Sequence, residues 1–334
     1  MPIRKIGGPE RSAAQGRPVY QGKTIGVVVP AHNEELLIGR VLSTMPDFVD
    51  RIIVVNDASS DKTTDVVRSH VSFAAGKIEL LHHERNLGVG AAIVTGYRHA
   101  LEVGLDVAVV MVGDAQMDPD DLPRLLDPIT SGQADYTKGN RFFRGESWEM
   151  IPRVRYLGNA FLSLLTKIAS GYWHIADSQS GYTAITATAL GRIDLDRIYT
   201  RYGMPNDILI KLNVANFRVC DVSVRPIYRI GEKSGIRLHA VVPRISWLLW
   251  RGFLWRLREK YVIRDFHPLL FFYLLGLTLT PAGLILGAWG IAYRLLVGPI
   301  APTTAIFAAF LCISGCQSLF FAMWFDLDYN KHLR

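Results

Sequence analysis

Asp114-Ala115-Gln116-Met117-Asp118-Pro119 stands directly after the apolar run Val107–Val112. An aspartate and a glutamine at the end of a buried strand could grip one hard divalent cation, Mg²⁺ or Mn²⁺, because residues two apart on an extended chain face the same side. The diphosphate oxygens of a nucleotide would complete the shell. The plainer reading is a polar turn whose Asp118, Asp120 and Asp121 cap the next helix. Two more polar loops follow apolar runs: Pro30-Ala31-His32-Asn33-Glu34-Glu35, and Asn56-Asp57-Ala58-Ser59-Ser60-Asp61. Carboxylates there can accept hydrogen bonds from ribose hydroxyls or base N–H groups. They also suit helix starts, where Asn33 and Ser60 are good caps.

Regular elements must hold these loops together. Thr24–Val29, Arg51–Val55, Ile78–Leu81 and Val107–Val112 are short apolar runs rich in β-branched residues, and helical patterns follow them at Glu34–Met45, from about Lys62, and after Gly90. This alternation predicts an α/β domain with a mainly parallel, Rossmann-like sheet whose ligand crevice lies at the carboxyl ends of its strands. Gly88-Val89-Gly90 is no dinucleotide fingerprint: Ile93 stands in place of the third glycine, and the motif is not on the first strand.

Further along, Pro268–Tyr293 contains no charged residue or histidine. About 26 residues at helical rise reach ~39 Å, enough to cross a hydrocarbon core of ~30 Å. Leu295–Phe325 is likewise uncharged, and Gly298-Pro299 with Pro302 breaks the two helices. We read residues 268–326 as a two-helix transmembrane hairpin and 327–334 as a tail. The segment 236–267 carries Arg237, Arg244, Arg251, Arg256, Arg258, Lys260 and Arg264 against Glu259 and Asp265. Its Val241, Ile245, Leu248, Leu249 and Phe253 recur at helical spacing beside Trp247, Trp250 and Trp255, the pattern of a helix in the headgroup plane or of one packed on the preceding domain. A second interfacial helix is expected near Val154–Ile168. The net charge of +7 is concentrated here, which favours anionic lipid over nucleic acid. Basic residues on both flanks place both termini and the catalytic domain on the cytoplasmic side. Three scattered cysteines fit no disulfide framework, and Met1–Gly22 reads as a disordered tail without a signal peptide.

Seven ordered motifs resemble the family 2 glycosyltransferases, and within them the polyprenyl-phosphate, dolichol-phosphate mannose synthase-like group. They are the three loops above with Arg85–Ala92, Lys138-Gly139-Asn140-Arg141, Asp177-Ser178-Gln179-Ser180-Gly181-Tyr182 and Arg229–Ser234. The resemblance implies a GT-A catalytic domain over 23–235, a nucleotide-diphosphate sugar donor, a divalent cation, a polyprenyl (undecaprenyl or dolichyl) phosphate acceptor, and inversion at the sugar carbon. By position it implies that Pro30, Ala31, Glu34, Asp57 and Asp114 hold the donor, and that Asp114 and Gln116 hold the metal. Arg141, Arg229 and Lys233 would meet phosphates, and Asp177 would stand with Asp114 and Arg141 at the reaction centre. One departure is Val112, where many relatives have an acid. Two alternatives follow: a membrane-anchored enzyme acting on a glycan or soluble acceptor, and a catalytically silent nucleotide-sugar-binding anchor. A homo-oligomer stays open.

Overall fold

The computed structural model describes residues 4–6, 20–141, 153–225, 227 and 238–334. The chain divides into two compact units, Met1–Phe253 with Leu333–Arg334, and Leu254–His332.

The first unit is built on an eight-stranded sheet: β1 (Arg4–Ile6), β2 (Ile25–Ala31), β3 (Arg51–Asn56), β4 (Ile78–His82), β5 (Val107–Val110), β6 (Tyr136–Asn140), β7 (Thr183–Thr186) and β8 (Val219–Ser223). Their spatial order is β1-β4-β3-β2-β5-β7-β6-β8. Strands β4, β3, β2 and β5 are parallel, as the alternation predicts. Both faces of these strands are covered, so their apolar runs are buried almost without alternation. β7 enters antiparallel between β5 and β6. Arg4–Ile6, inside the stretch expected to be a disordered tail, pairs antiparallel with β4 at the sheet edge.

Helices α1 (Ile38–Ser43), α2 (Thr63–Ser69), α3 (Val71–Ala74), α4 (Val89–Glu102), α5 (Leu122–Thr130), α6 (Arg153–Ser170), α7 (Ala187–Arg192), α8 (Met204–Val214) and α9 (Leu238–Arg258) complete the order, with α9 running past the end of this unit. Two cores result. Val28, Ile53, Tyr97 and Val110 belong to the α4 side. Val27, Val54, Val109 and Leu125 belong to the α1 and α5 side. Helix α4 lies so close to the sheet that a Cβ on Gly96 would sit 2.2 Å from Val28 Cγ1. Chain connections leave β2 toward β3 and β4 on one side and return to β5 on the other, which makes the β2/β5 boundary the topological switch point where ligands bind in open α/β sheets.

The Arg/Trp helix buries one face and exposes the other. On α9, Ile245, Leu249 and Phe253 are buried while Trp247 and Trp250 stay exposed. Its apolar stripe packs on the domain, where Gly203 admits Leu248 and Gly252 admits Ile210.

The second unit contains α10 (Leu269–Leu296) and α11 (Pro302–Tyr329), two helices long and apolar enough to cross a membrane. They pack tightly through small residues. A Cβ on Gly283 would lie 2.7 Å from Cys312 N, and one on Gly315 would lie 2.5 Å from Thr280 N. Beside them, Arg256 and Asp326 form a fully buried ion pair with N···O distances of 2.8 and 3.0 Å. The Asn330 amide donates to Tyr261 Oη at 2.8 Å, and Lys260 Nζ donates to Asn330 Oδ1 at 2.7 Å.

Candidate active site

Three loops converge at the carboxyl edge of β2, β3 and β5. After Ala31 the chain turns through Asn33 at φ +59°. Asn33 Oδ1 accepts from Ser60 N at 2.8 Å, Glu34 N donates to Thr63 Oγ1 at 2.8 Å, and Glu35 Oε2 accepts from Lys62 N at 3.0 Å. Asn33 and Glu35, which the sequence offers as helix-start residues, thus stitch the first loop to the second. Pro30 accepts Gly113 N through its carbonyl, which fixes the third loop against the first. Glu34 is left at the centre. Burial, then the nearby Asp114 and Asp61 charges, push its carboxyl up to about 7.

The sequence assigns Asp57 to the donor, and the structure gives it a structural task. Its carboxylate is buried and accepts from Leu87 N and Gly88 N at 2.8 Å each and from His83 Nδ1 at 2.7 Å. Burial alone would raise its pKa, yet these donors hold it below the ordinary carboxylate value. His83, which has no recognisable spacing in the sequence, is anchored in turn on Thr95 Oγ1 at 2.9 Å. The loop that Asp57 holds opens α4, and its glycines are explained by contact: a Cβ on Gly90 would come within 2.6 Å of Tyr199 O, and Gly88 sits at φ +98°.

Asp114 lies beyond the strand. β5 ends at Val110, two residues short of the expected run, and Ala115 adopts φ +56°. Asp114 and Gln116 are therefore related by a turn and not by strand alternation, since Asp114 Oδ1 accepts from Gln116 N at 3.1 Å. Gln116 O accepts from Ile227 N at 3.0 Å, and Asp121 Oδ2 accepts from Arg225 N. These bonds tie Arg225 and Ile227 to the Asp114 loop and the turn after it. The cap of the following turn is Asp118, which accepts from Asp120 N, and not Asp121.

Among the described residues no three His, Cys, Asp or Glu side chains stand together as a ready metal cage. The donor set nevertheless suits a hard cation. Glu34 and Asp114 repel each other at the edge of the crevice, and Mg²⁺ is commonly held by one or two carboxylates with substrate phosphates filling the remaining positions.

A second polar group stands at the end of β6. Arg141 Nε and Nη2 donate to the two oxygens of Asp177 at 2.7 and 3.1 Å. The sequence places Asp177 at the reaction centre. Its carboxylate is fully buried, also accepts from Gln179 N, and fixes the Arg141 guanidinium. Burial would raise the Asp177 pKa, but Arg141 and Lys138 hold it low. Lys138, buried with its Nζ donating to Ser180 O, is pulled down to about 8 by burial. Asp221 accepts from Asn140 Nδ2 and Ala176 N at 2.7 Å each. The sequence carries Lys138 only as part of a motif and gives no sign of Asp221. Arg229 and Lys233 lie outside the described residues.

The comparisons with known proteins agree with this architecture. The profile "Glycosyl transferase family 2" matches residues 26–193, and the chain belongs to that family. A UDP-N-acetylglucosamine–dolichyl-phosphate N-acetylglucosaminyltransferase of Methanococcus voltae is 30% identical, over 62% of this chain and 86% of the relative. An undecaprenyl-phosphate mannosyltransferase of Micrococcus luteus is 32% identical, over 67% of this chain and 95% of the relative. Glucosyl-3-phosphoglycerate synthase from Mycobacterium tuberculosis, solved with Mn²⁺, UDP and phosphoglyceric acid, superposes with a TM-score of 0.52 at 21% identity, covering 70% of this chain and 78% of that one. The fold is GT-A, and the protein is a glycosyltransferase.

Proposed function

We propose that this enzyme transfers a sugar, with inversion, from a nucleotide-diphosphate sugar to a polyprenyl phosphate at the cytoplasmic face of a membrane that α10 and α11 span. The observation that carries the reading is the convergence of Glu34, Asp57 and Asp114 at the switch point of a sheet in a chain that also has two helices of spanning length. Relatives named for undecaprenyl and dolichyl phosphate acceptors support it.

In this reading Pro30 and Ala31 form the floor for the nucleoside, Glu34 accepts its polar hydrogens, and Asp57 keeps the Leu87–Gly88 wall in place. Asp114 and Gln116 would hold Mg²⁺ or Mn²⁺, which when bound would neutralise negative charge gathering on the departing diphosphate. A phosphate monoester has a second pKa of about 6 and is largely dianionic at pH 7, so the attacking oxygen needs no strong base. It needs positive charge that lets two anions approach. Arg141 supplies that charge, with Asp177 fixing its guanidinium plane; Arg229 and Lys233 are proposed to add to it.

Incubating the full chain with polyprenyl phosphate, Mg²⁺ or Mn²⁺ and a panel of nucleotide sugars should give a lipid-linked monosaccharide that partitions into organic solvent. Asp114→Ala should abolish the product while the protein stays in the membrane fraction. A water-soluble or polymeric product would overturn the acceptor, and full turnover by Asp114→Ala would overturn the metal site.

A further inference from the structure

Helix α11 has two faces. Ala308, Gly315, Ala322 and Asp326 are buried. The opposite face presents Ile306, Phe310, Ile313, Gln317, Phe320 and Trp324, all exposed, with the five apolar members each more than half exposed. Their spacing alternates four and three, which is the a/d repeat of a left-handed helix pair. Gln317 is the exception in chemistry. It lies about 18 Å from the nearer end of the helix at 1.5 Å per residue, on the outward surface of a span that is otherwise uncharged from Leu295 to Phe325. A shallow groove of about 560 Å³ runs beside it, lined by Cys312, Cys316, Phe321 and other residues of the same helix.

An exposed carboxamide at that depth has no water to bond, and leaving its N–H and C=O groups unpaired in hydrocarbon is costly. Lipid tails cannot satisfy it. A carboxamide is donor and acceptor at once and is therefore complementary to a copy of itself across a two-fold axis. Two copies inserted with the same orientation put that axis along the membrane normal and make their α11 helices parallel. A single amide at an a position is then the feature that fixes register and favours a pair. We propose that two copies of this chain associate through the outward face of α11, with the two Gln317 side chains hydrogen-bonded across the interface. The proposal rests on the hairpin spanning the bilayer.

The test is disulfide mapping in membranes. The full chain carries Cys220→Ser, Cys312→Ala and Cys316→Ala with one new cysteine, and the membranes are washed with alkaline carbonate and oxidised with copper phenanthroline. Ile313→Cys and Phe320→Cys should give a dimer band that Ala305→Cys and Ala309→Cys, off the seam, do not. Adding Gln317→Leu to the Ile313→Cys chain should reduce dimer yield about threefold or more. Light scattering of the unaltered chain in lipid nanodiscs should independently read two copies, with Gln317→Leu shifted toward one. Carbonate-resistant protein that is monomeric, or that crosslinks equally at all four positions, overturns the pairing and leaves the membrane reading intact. Protein released by carbonate overturns both.

Discussion

Replacing Glu34 with glutamine should make the protein more stable and less useful. Glu34 is crowded by Asp114 and Asp61, and its carboxyl is raised from 4.5 to about 7. At 1.36 kcal/mol per pH unit, that difference sets a ceiling of about 3 kcal/mol on the cost of ionising it in the folded state; solvent at this partly exposed side chain screens the cost to about 1–2 kcal/mol. The sign follows from proton binding. Between pH 4.5 and 7 the folded chain holds a proton that the unfolded chain has released, so stability falls as pH rises through that window and stays reduced above it. Glutamine mimics the protonated form at every pH. Glu34→Gln should therefore raise the melting temperature by about 2–8 °C at pH 8, and the gain should shrink to about a quarter at pH 5. Thermal unfolding of the full chain in detergent at both pH values reads this directly, and nucleotide-sugar titration should show weaker binding by the variant. No gain at pH 8, or an equal gain at pH 5, would refute the claim that the crevice crowds negative charge around Glu34.

Asp57→Asn would turn an N–H toward one of the Leu87, Gly88 or His83 donors; a loss of about 2–4 kcal/mol is expected, with faster amide exchange at Leu87 and Gly88. Gly90→Ala would drive a methyl against Tyr199 O and Met204 Cβ, which should cost about 1–3 kcal/mol in denaturant titration. Arg256→Met or Asp326→Leu alone would strand a buried charge and cost about 3–5 kcal/mol, whereas the double variant should recover most of that loss; a loss in the double variant equal to the sum of the two single losses would show that the pair is not coupled.

What the sequence reveals follows the range of the interaction that carries it. Val27–Val29 and Ile52–Val55 announce buried strands because both faces are covered, and the uncharged stretches after Pro268 announce long apolar helices because length and composition suffice. Asp114 is legible as a loop acid after a strand. Its turn is not, because Ala115 at positive φ is a choice made by the surrounding bonds and not by alanine. β7 is only four residues long, and its antiparallel insertion depends on partners more than 40 residues away. The task of Asp57 became visible only with Leu87 and Gly88 folded onto it. Asp221 and the Arg256–Asp326 pair, 70 residues apart, lie beyond any local pattern.

The glycines that seat α10 against α11 bring main chain to within touching distance at Gly276, Gly283 and Gly315. No acyl or isoprenoid tail can thread between two helices that leave no room for a methyl group. In a bilayer the pair would move as one plank, and any long-chain molecule it met would lie along its outer sides.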